Sequence, residues 1–265
     1  MTMLLRSLVL SLALSTCACQ TKDAPRSVSD PKRVLVYTVS AGFEHDVVRR
    51  ASADELSLVE RTMVALGQSS GMFTAVPTRS AADFTAENLA TFDAVLFYTT
   101  GELSLSSAER RALLDFVRAG RGFVGVHSAT DTLYELPEYG EMIGAYFDGH
   151  PWHERVRVMV EDATDPSTRH LGTSFTIEDE IYQFRAPYDR AQLHVLLRLD
   201  ADAVDTRKDG VHRTDRDFAI AWRKDFGAGR VFYTSLGHRP EVWADERFRR
   251  HLVGGVLWAA GAATR

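Results

Sequence analysis

DAVLFYTTGELSLSSAERRALLDFVRAGRGFVGVHSATD, residues 93–131, reads as one strand–helix–strand unit. Asp93 to Tyr98 and Gly122 to Val126 are short, nearly continuous apolar runs, as expected of strands buried on both faces. Between them, Ser104 to Ala119 has helical spacing. Ser106 or Ser107 can cap it, Glu109 falls in its first turn, and Leu113, Leu114, Phe116 and Val117 gather on one side. Gly120 ends it.

The same alternation extends upstream. Val34 to Val39 is a first strand, an amphipathic stretch from about Val47 to Leu66 follows, and Phe73 to Val76 is a second strand. Repeated β-α-β units call for a mostly parallel central sheet with helices on both faces, an α/β three-layer sandwich. From about Glu154 the strands succeed one another more directly: Arg155–Val160, Ser174–Phe184, Leu193–Leu199, Phe218–Arg223 and Arg230–Ser235. That change suggests an antiparallel extension of the same sheet. Glu246 to Ala260 closes the chain as a helix. No internal repeat or inner domain boundary stands out.

The 265 residues are 45% hydrophobic and 25% charged, the composition of an ordinary globular chain with a sizeable core. The formal charge is −5, and no basic run or basic-aromatic cluster supports a nucleic-acid surface. Both cysteines, Cys17 and Cys19, lie near the start. The rest of the chain therefore has no internal disulfide, cysteine zinc site or cysteine nucleophile.

Those cysteines follow Arg6 and the apolar run Ser7–Ser15 (SLVLSLALS), the build of a secretory signal. The run is too short for a permanent membrane helix. A cysteine directly after it resembles a lipobox, with Cys19 as the expected lipidated residue and Cys17 as the other register. Residues 1–18 are then a removed leader. Its loss takes Arg6, leaving 30 basic against 36 acidic residues, a net of −6. Residues 19–32 read as a flexible tether and 33–261 as the domain. The expected location is the bacterial cell envelope: lipid-anchored, facing the periplasm from the outer membrane, or else plainly secreted.

In an open α/β sheet, ligands bind beyond the carboxyl ends of the strands. Those ends carry Glu44-His45, Gly101-Glu102, His127-Ser128-Ala129-Thr130-Asp131 and Gly237-His238-Arg239. His150 and His153 sit in a connecting loop that can fold over the same place, while His170, His194, His212 and His251 lack this placement. The turn after Gly122–Val126 is where a nucleophile elbow would stand, although its sequence does not match G-x-S-x-G. Either Ser128 is a nucleophile with a histidine base, or His127 is the working base and Ser128 caps the next helix. His127 is the expected base.

In Asp179-Glu180-Ile181-Tyr182, alternate residues of a strand face opposite sides. Glu180 and Tyr182 share one face, so Glu180 can act as acid or base with Tyr182 lining the pocket. Glu44, Glu102, Asp131 and Arg239 are further pocket candidates. Trp152 and Tyr134 are candidate sugar-stacking surfaces, and core packing is the better reading for Trp222. A divalent metal is a candidate cofactor. His150, His153 and His238 are its expected ligands, with Glu44, Glu102 and Glu180 as carboxylate donors.

Five motifs in order carry a family resemblance: Gly42-Phe43-x-His45, Gly125-x-His127-Ser128-Ala129, Gly149-His150-Pro151, Asp179-Glu180-Ile181-Tyr182 and Gly229–Thr234 followed by x-x-Gly237-His238. Together they resemble the ThuA-like (trehalose utilisation) family over about residues 33–261. The resemblance implies a flavodoxin-like sandwich similar to class I glutamine amidotransferases. It also implies a role with trehalose and related disaccharides, including 3-keto sugars. The matching turn holds His127-Ser128 where amidotransferases carry a cysteine, so thiolate hydrolysis of glutamine is excluded.

Three functional readings follow. One is an envelope enzyme that acts on a carbohydrate or keto sugar by histidine acid–base chemistry. In it, His127 is the base, and His45, His150 and His238 are pocket or electrophilic residues. Another is a non-catalytic module that binds a sugar or a protein. The third is a hydrolase using Ser128.

Overall fold

Strand β1, Lys32–Tyr37, opens the domain of a computed structural model that describes residues 30–262. The leader, Cys17, Cys19 and the tether up to residue 29 lie outside the described residues. β1 starts at Lys32, one residue before the expected domain start at residue 33. Among the described residues no helix is long and apolar enough to cross a membrane.

The parallel half is built as β1, helix α1 (Leu58–Ser70), β2 (Phe73–Thr78), the short helix α2 (Ala86–Leu89), β3 (Ala94–Phe97), α3 (Ser107–Arg118) and β4 (Gly122–Val126). Helix α1 is shorter than the expected Val47–Leu66 stretch. A single 3₁₀ turn covers Asp46–Val48, and the chain reaches Ser57 before a helix begins. There the Glu60 carboxylate accepts the Ser57 N–H at 2.7 Å, while the Ser57 hydroxyl accepts the Glu60 N–H. This reciprocal cap satisfies two orphan donors and defines the start, whereas residues 51–56 are exposed and offer no apolar stripe. Helix α3 begins with the same device at Ser106 and Glu109.

After β4 come α4 (Pro137–Ile143), β5 (Tyr146–Phe147), β6 (Trp152–Val160), β7 (Ser174–Ile181), β8 (Phe184–Arg185), β9 (His194–Leu199), β10 (Ala219–Phe226), β11 (Gly229–Thr234), α5 (Pro240–Ala244) and α6 (Glu246–Ala259). Helices α4 and α5 were not anticipated. Each spans two turns or fewer, too short for a periodic signal, and the proline at its start is the one local cue.

Among the described residues nine strands form one sheet in the order β2-β1-β3-β4-β11-β10-β9-β6-β7. β1 pairs in parallel with β2 and β3, and β4 pairs in parallel with β3 and β11. That five-strand block has the flavodoxin-like order. β10, β9, β6 and β7 continue it in antiparallel fashion, as the direct succession of strands suggested. One expectation needs correcting: the final strand, β11, is not part of the extension. It leaves the β10 hairpin and inserts beside β4, so its carboxyl end joins those of β1, β3 and β4. Two apolar cores, one on each face, hold the layers together. Fully buried Tyr98, Trp243 and Phe232 lie in or beside one, and Phe97, Tyr139 and Trp222 in the other.

Candidate functional site

The parallel strands deliver three histidines to one edge. The loop after β1 brings His45, the turn after β4 brings His127, and the loop after β11 brings His238. Strand β7 supplies Glu180. One ligand atom from each of these four lies within 4.8 Å of all the others. Ring centroids are 4.8 Å apart for His45 and His127, 5.1 Å for His45 and His238, and 5.2 Å for His127 and His238.

Local backbone places each group. His127 takes a left-handed φ of 49°, costly for a residue with a Cβ, and begins the 3₁₀ turn His127–Thr130. Its Nδ1 is 2.6 Å from the Ser235 carbonyl and donates to it. In the neutral ring Nε2 then carries the lone pair. The His45 loop is held by Thr100, whose hydroxyl donates to the Phe43 carbonyl at 2.8 Å. Gly101 packs beneath that loop, and a Cβ there would come within 2.7 Å of the Gly42 nitrogen. Gly237, at φ 117°, makes the bend before His238.

Glu180 faces two ways. Its Oε2 lies 3.1 Å from His238 Nδ1 and 3.4 Å from His127 Nε2. Its Oε1 lies 3.3 Å from His150 Nδ1 and 3.8 Å from His153 Nδ1. Antiparallel pairing of β6 with β7 sets His153 opposite Glu180, so both project on the same face. Burial works against the Glu180 charge, but the hydrogen bonds and charges of His127 and His238 outweigh it, holding the carboxyl well below the usual range. Burial, and then the neighbouring His127 and His238, push His45 down to about 3, so it is neutral at ordinary pH. His238 is also disfavoured by burial, yet Glu180 pulls it upward. The Tyr182 hydroxyl donates to His127 Nε2 at 2.9 Å; burial raises its own pKa and keeps it protonated.

The inner and outer groups differ in access. The side chain of His127 has no exposed surface and that of Glu180 is 7% exposed, whereas His150 is 51% and His153 43% exposed. The expected arrangement is therefore inverted. His127, read as the base, is sealed behind Tyr182, His238 and Glu180. Of the expected metal trio only His238 joins the compact quartet, and His150 and His153 stand at its rim.

Other expectations are corrected. Trp152 is fully buried against Phe218, with ring centroids 4.7 Å apart, and offers no stacking surface. It neighbours His153 on β6, and strand alternation turns it to the opposite face. Ser128 is fully buried, and its Oγ has no hydrogen-bond partner. With no base hydrogen-bonded to its Oγ and its side chain capping nothing, the structure supports neither role for Ser128 itself. Glu44 pairs with Arg49 and Arg79, and Glu102 accepts the Glu135 N–H. Asp131 accepts the Tyr134 hydroxyl, and Arg239 pairs with Glu178 and Glu241. None of these four side chains bonds to the histidine–glutamate quartet. Trp222 is core, donating to the Ile143 carbonyl.

Three contributors were missed. Asp179 faces away from Glu180 and accepts the backbone N–H of Gly237 at 2.7 Å and of Arg239 at 3.1 Å, fixing the loop that carries His238. Tyr98 donates to the Gly237 carbonyl and packs on His45 and His127. Phe147 stacks on His150 and meets Tyr182. Strand alternation signalled that Asp179 faces away from Glu180, but sequence spacing gives no signal for the other two.

Residues 33–259 match the family described as "ThuA: Trehalose utilisation". A ThuA-like protein from Bacteroides uniformis ATCC 8492 is 23% identical with a TM-score of 0.70, the match covering 89% of this chain and 94% of that one. Another, from Parabacteroides merdae ATCC 43184, is 18% identical with a TM-score of 0.67, over 89% of this chain and 92% of that one. A β-galactosidase from Bacillus circulans sp. alkalophilus shares the fold over 89% of this chain but 32% of its own, at 12% identity and a TM-score of 0.52. At these identities the structural likenesses establish the fold alone. No curated protein sequence matches the chain.

Proposed function

The chain belongs to the ThuA (trehalose utilisation) family, and from that premise we propose an enzyme of the bacterial envelope, lipid-anchored through Cys19, that acts on a carbohydrate bearing a ketone. The substrate class is a 3-keto sugar of the trehalose type. The observation that carries this reading is the two-sided Glu180, which ties the buried histidines to the solvent-facing pair His150 and His153.

A proton on the carbon next to a ketone is acidified. An imidazole at the rim takes that proton. The C–H electron pair becomes the C–C π bond, and the carbonyl oxygen takes up negative charge. The enolate then collapses in one of two ways. Protonation at the former carbonyl carbon, with the adjacent hydroxyl giving its proton to the original carbonyl oxygen and becoming the new ketone, is an isomerisation. Expulsion of the glycosidic oxygen from the neighbouring carbon breaks the glycosidic bond and leaves an unsaturated sugar, with the proton delivered to the departing oxygen. Glu180 Oε1 lies behind both rim histidines and steadies the imidazolium that forms, the role a carboxylate plays behind a catalytic histidine.

The test is proton exchange and product formation. Incubating the protein with 3-keto-trehalose in D₂O and reading products by mass spectrometry should show deuterium uptake or cleavage. The variant carrying both His150→Ala and His153→Ala should lose about 10²–10⁴-fold of that rate. Full turnover in that variant would remove the rim pair from the chemistry. Saturable sugar binding without exchange or products would replace the enzyme with a binding module.

A further inference from the structure

We propose that His45, His127, Glu180 and His238 form a centre for one divalent transition-metal cation, of the zinc or manganese class. The inference goes beyond the carbohydrate reading and stands without it, because cation binding is measured with no substrate present.

Three donor atoms already have the required spacing. His127 Nε2, His238 Nδ1 and Glu180 Oε2 are separated by 3.2, 3.1 and 3.4 Å. A tetrahedral cation with bonds of about 2.0–2.1 Å holds its donors about 3.3–3.4 Å apart. The fourth donor, from His45, closes the group within 4.8 Å.

The chemistry of the donors agrees. His127 Nε2 faces Glu180 Oε2 and His238 Nδ1, and a cation bound there would take the place of its hydrogen bond from Tyr182. The Ser235 carbonyl on His127 Nδ1 is the outer-shell partner that metal-ligating histidines normally have. Asp179 holds the His238 loop from the far side. His45 is 5% exposed, and its Nδ1 is buried with no hydrogen-bond partner. Such a group is costly when unsatisfied. Three imidazoles with one carboxylate suit a borderline cation rather than calcium or magnesium, which prefer all-oxygen shells. His127 is fully buried on the inner side of the group, while His150 and His153 on its outer side are half exposed.

The test uses the purified protein after chelator treatment, titrated calorimetrically with Zn²⁺ and with Mn²⁺. Co²⁺ is added separately to read visible absorption bands from its coordination. The wild type should take up one equivalent. Glu180→Gln and His238→Ala should each lose more affinity than the roughly 10–100-fold that an outer-shell change costs. His212→Ala, whose side chain instead contacts Asp148, should bind like the wild type. Circular dichroism establishes folding, and His45→Ala substitutes for any variant that fails it. No uptake by the folded wild type, or equal uptake in the Glu180 and His238 variants, overturns the proposal. Uptake without turnover of keto sugars would count against the carbohydrate reading alone.

Discussion

The hydroxyl of Tyr182 donates to His127 Nε2 at 2.9 Å, using the lone pair that a bound cation would need. The two are competitors for one atom. Replacing Tyr182 with Phe removes the competitor while keeping the ring that packs on Phe147. A neutral hydrogen bond contributes about 0.5–1.5 kcal/mol net, so Zn²⁺ should bind the variant up to roughly tenfold more tightly. Calorimetric titration checks this, and weaker binding in Tyr182→Phe would show that the phenol supports the centre.

Asp179 predicts a different signature. Its carboxylate accepts two backbone N–H groups, from Gly237 and Arg239. Asn at this position keeps one acceptor and sets an amide donor against the other N–H. Asp179→Asn should lower stability by about 1–3 kcal/mol, the cost of an unsatisfied buried donor. By loosening His238 it should also weaken cation binding by about 10–100-fold. Urea unfolding and titration read the two effects separately, and a variant unchanged in both has no positioning residue at 179.

His251 sets a pH dependence remote from the site. It lies buried on α6, its Nδ1 donating to the Ser167 carbonyl at 2.9 Å. Burial pushes its pKa down from 6.5 to about 4, so the folded protein keeps it neutral. Below pH 6.5 the unfolded chain takes up a proton that the folded one refuses. Stability contributed by the neutral ring is therefore present above pH 6.5 and lost as pH falls towards 4, by on the order of 3 kcal/mol. Urea unfolding at pH 7.5 and 4.5 should show a smaller drop for His251→Gln than for the wild type. Equal drops would exclude His251 as the source.

The fold was legible because buried parallel strands announce themselves. The runs at 34–37, 94–97 and 122–126 are apolar on both faces, and the parallel order places their carboxyl ends on one edge. That geometry singled out His45 and His127 among nine histidines, and the end of the Arg230–Ser235 strand added His238. Helix α1 was read too long because Val47 and Val48 are apolar at helical spacing although they sit in a separate 3₁₀ turn. Trp152 was misread because an aromatic beside two histidines looks like a binding surface until the β6–β7 register fixes which way each side chain points.

By itself, the sequence determined the sandwich, the antiparallel extension, the exclusion of thiol chemistry and the strand ends where the histidines would meet. These follow from hydrophobic period and residue type, which are local properties. The tertiary structure decided the roles. Whether a histidine is an inner donor or an accessible acid–base group depends on its depth. Depth is set by the left-handed turn at His127, by the carbonyl of Ser235 just after β11, and by Glu180 reaching in from β7. Those partners are 108 and 53 residues away along the chain. No local pattern encodes such distances, because only the packed sheet brings the strands together.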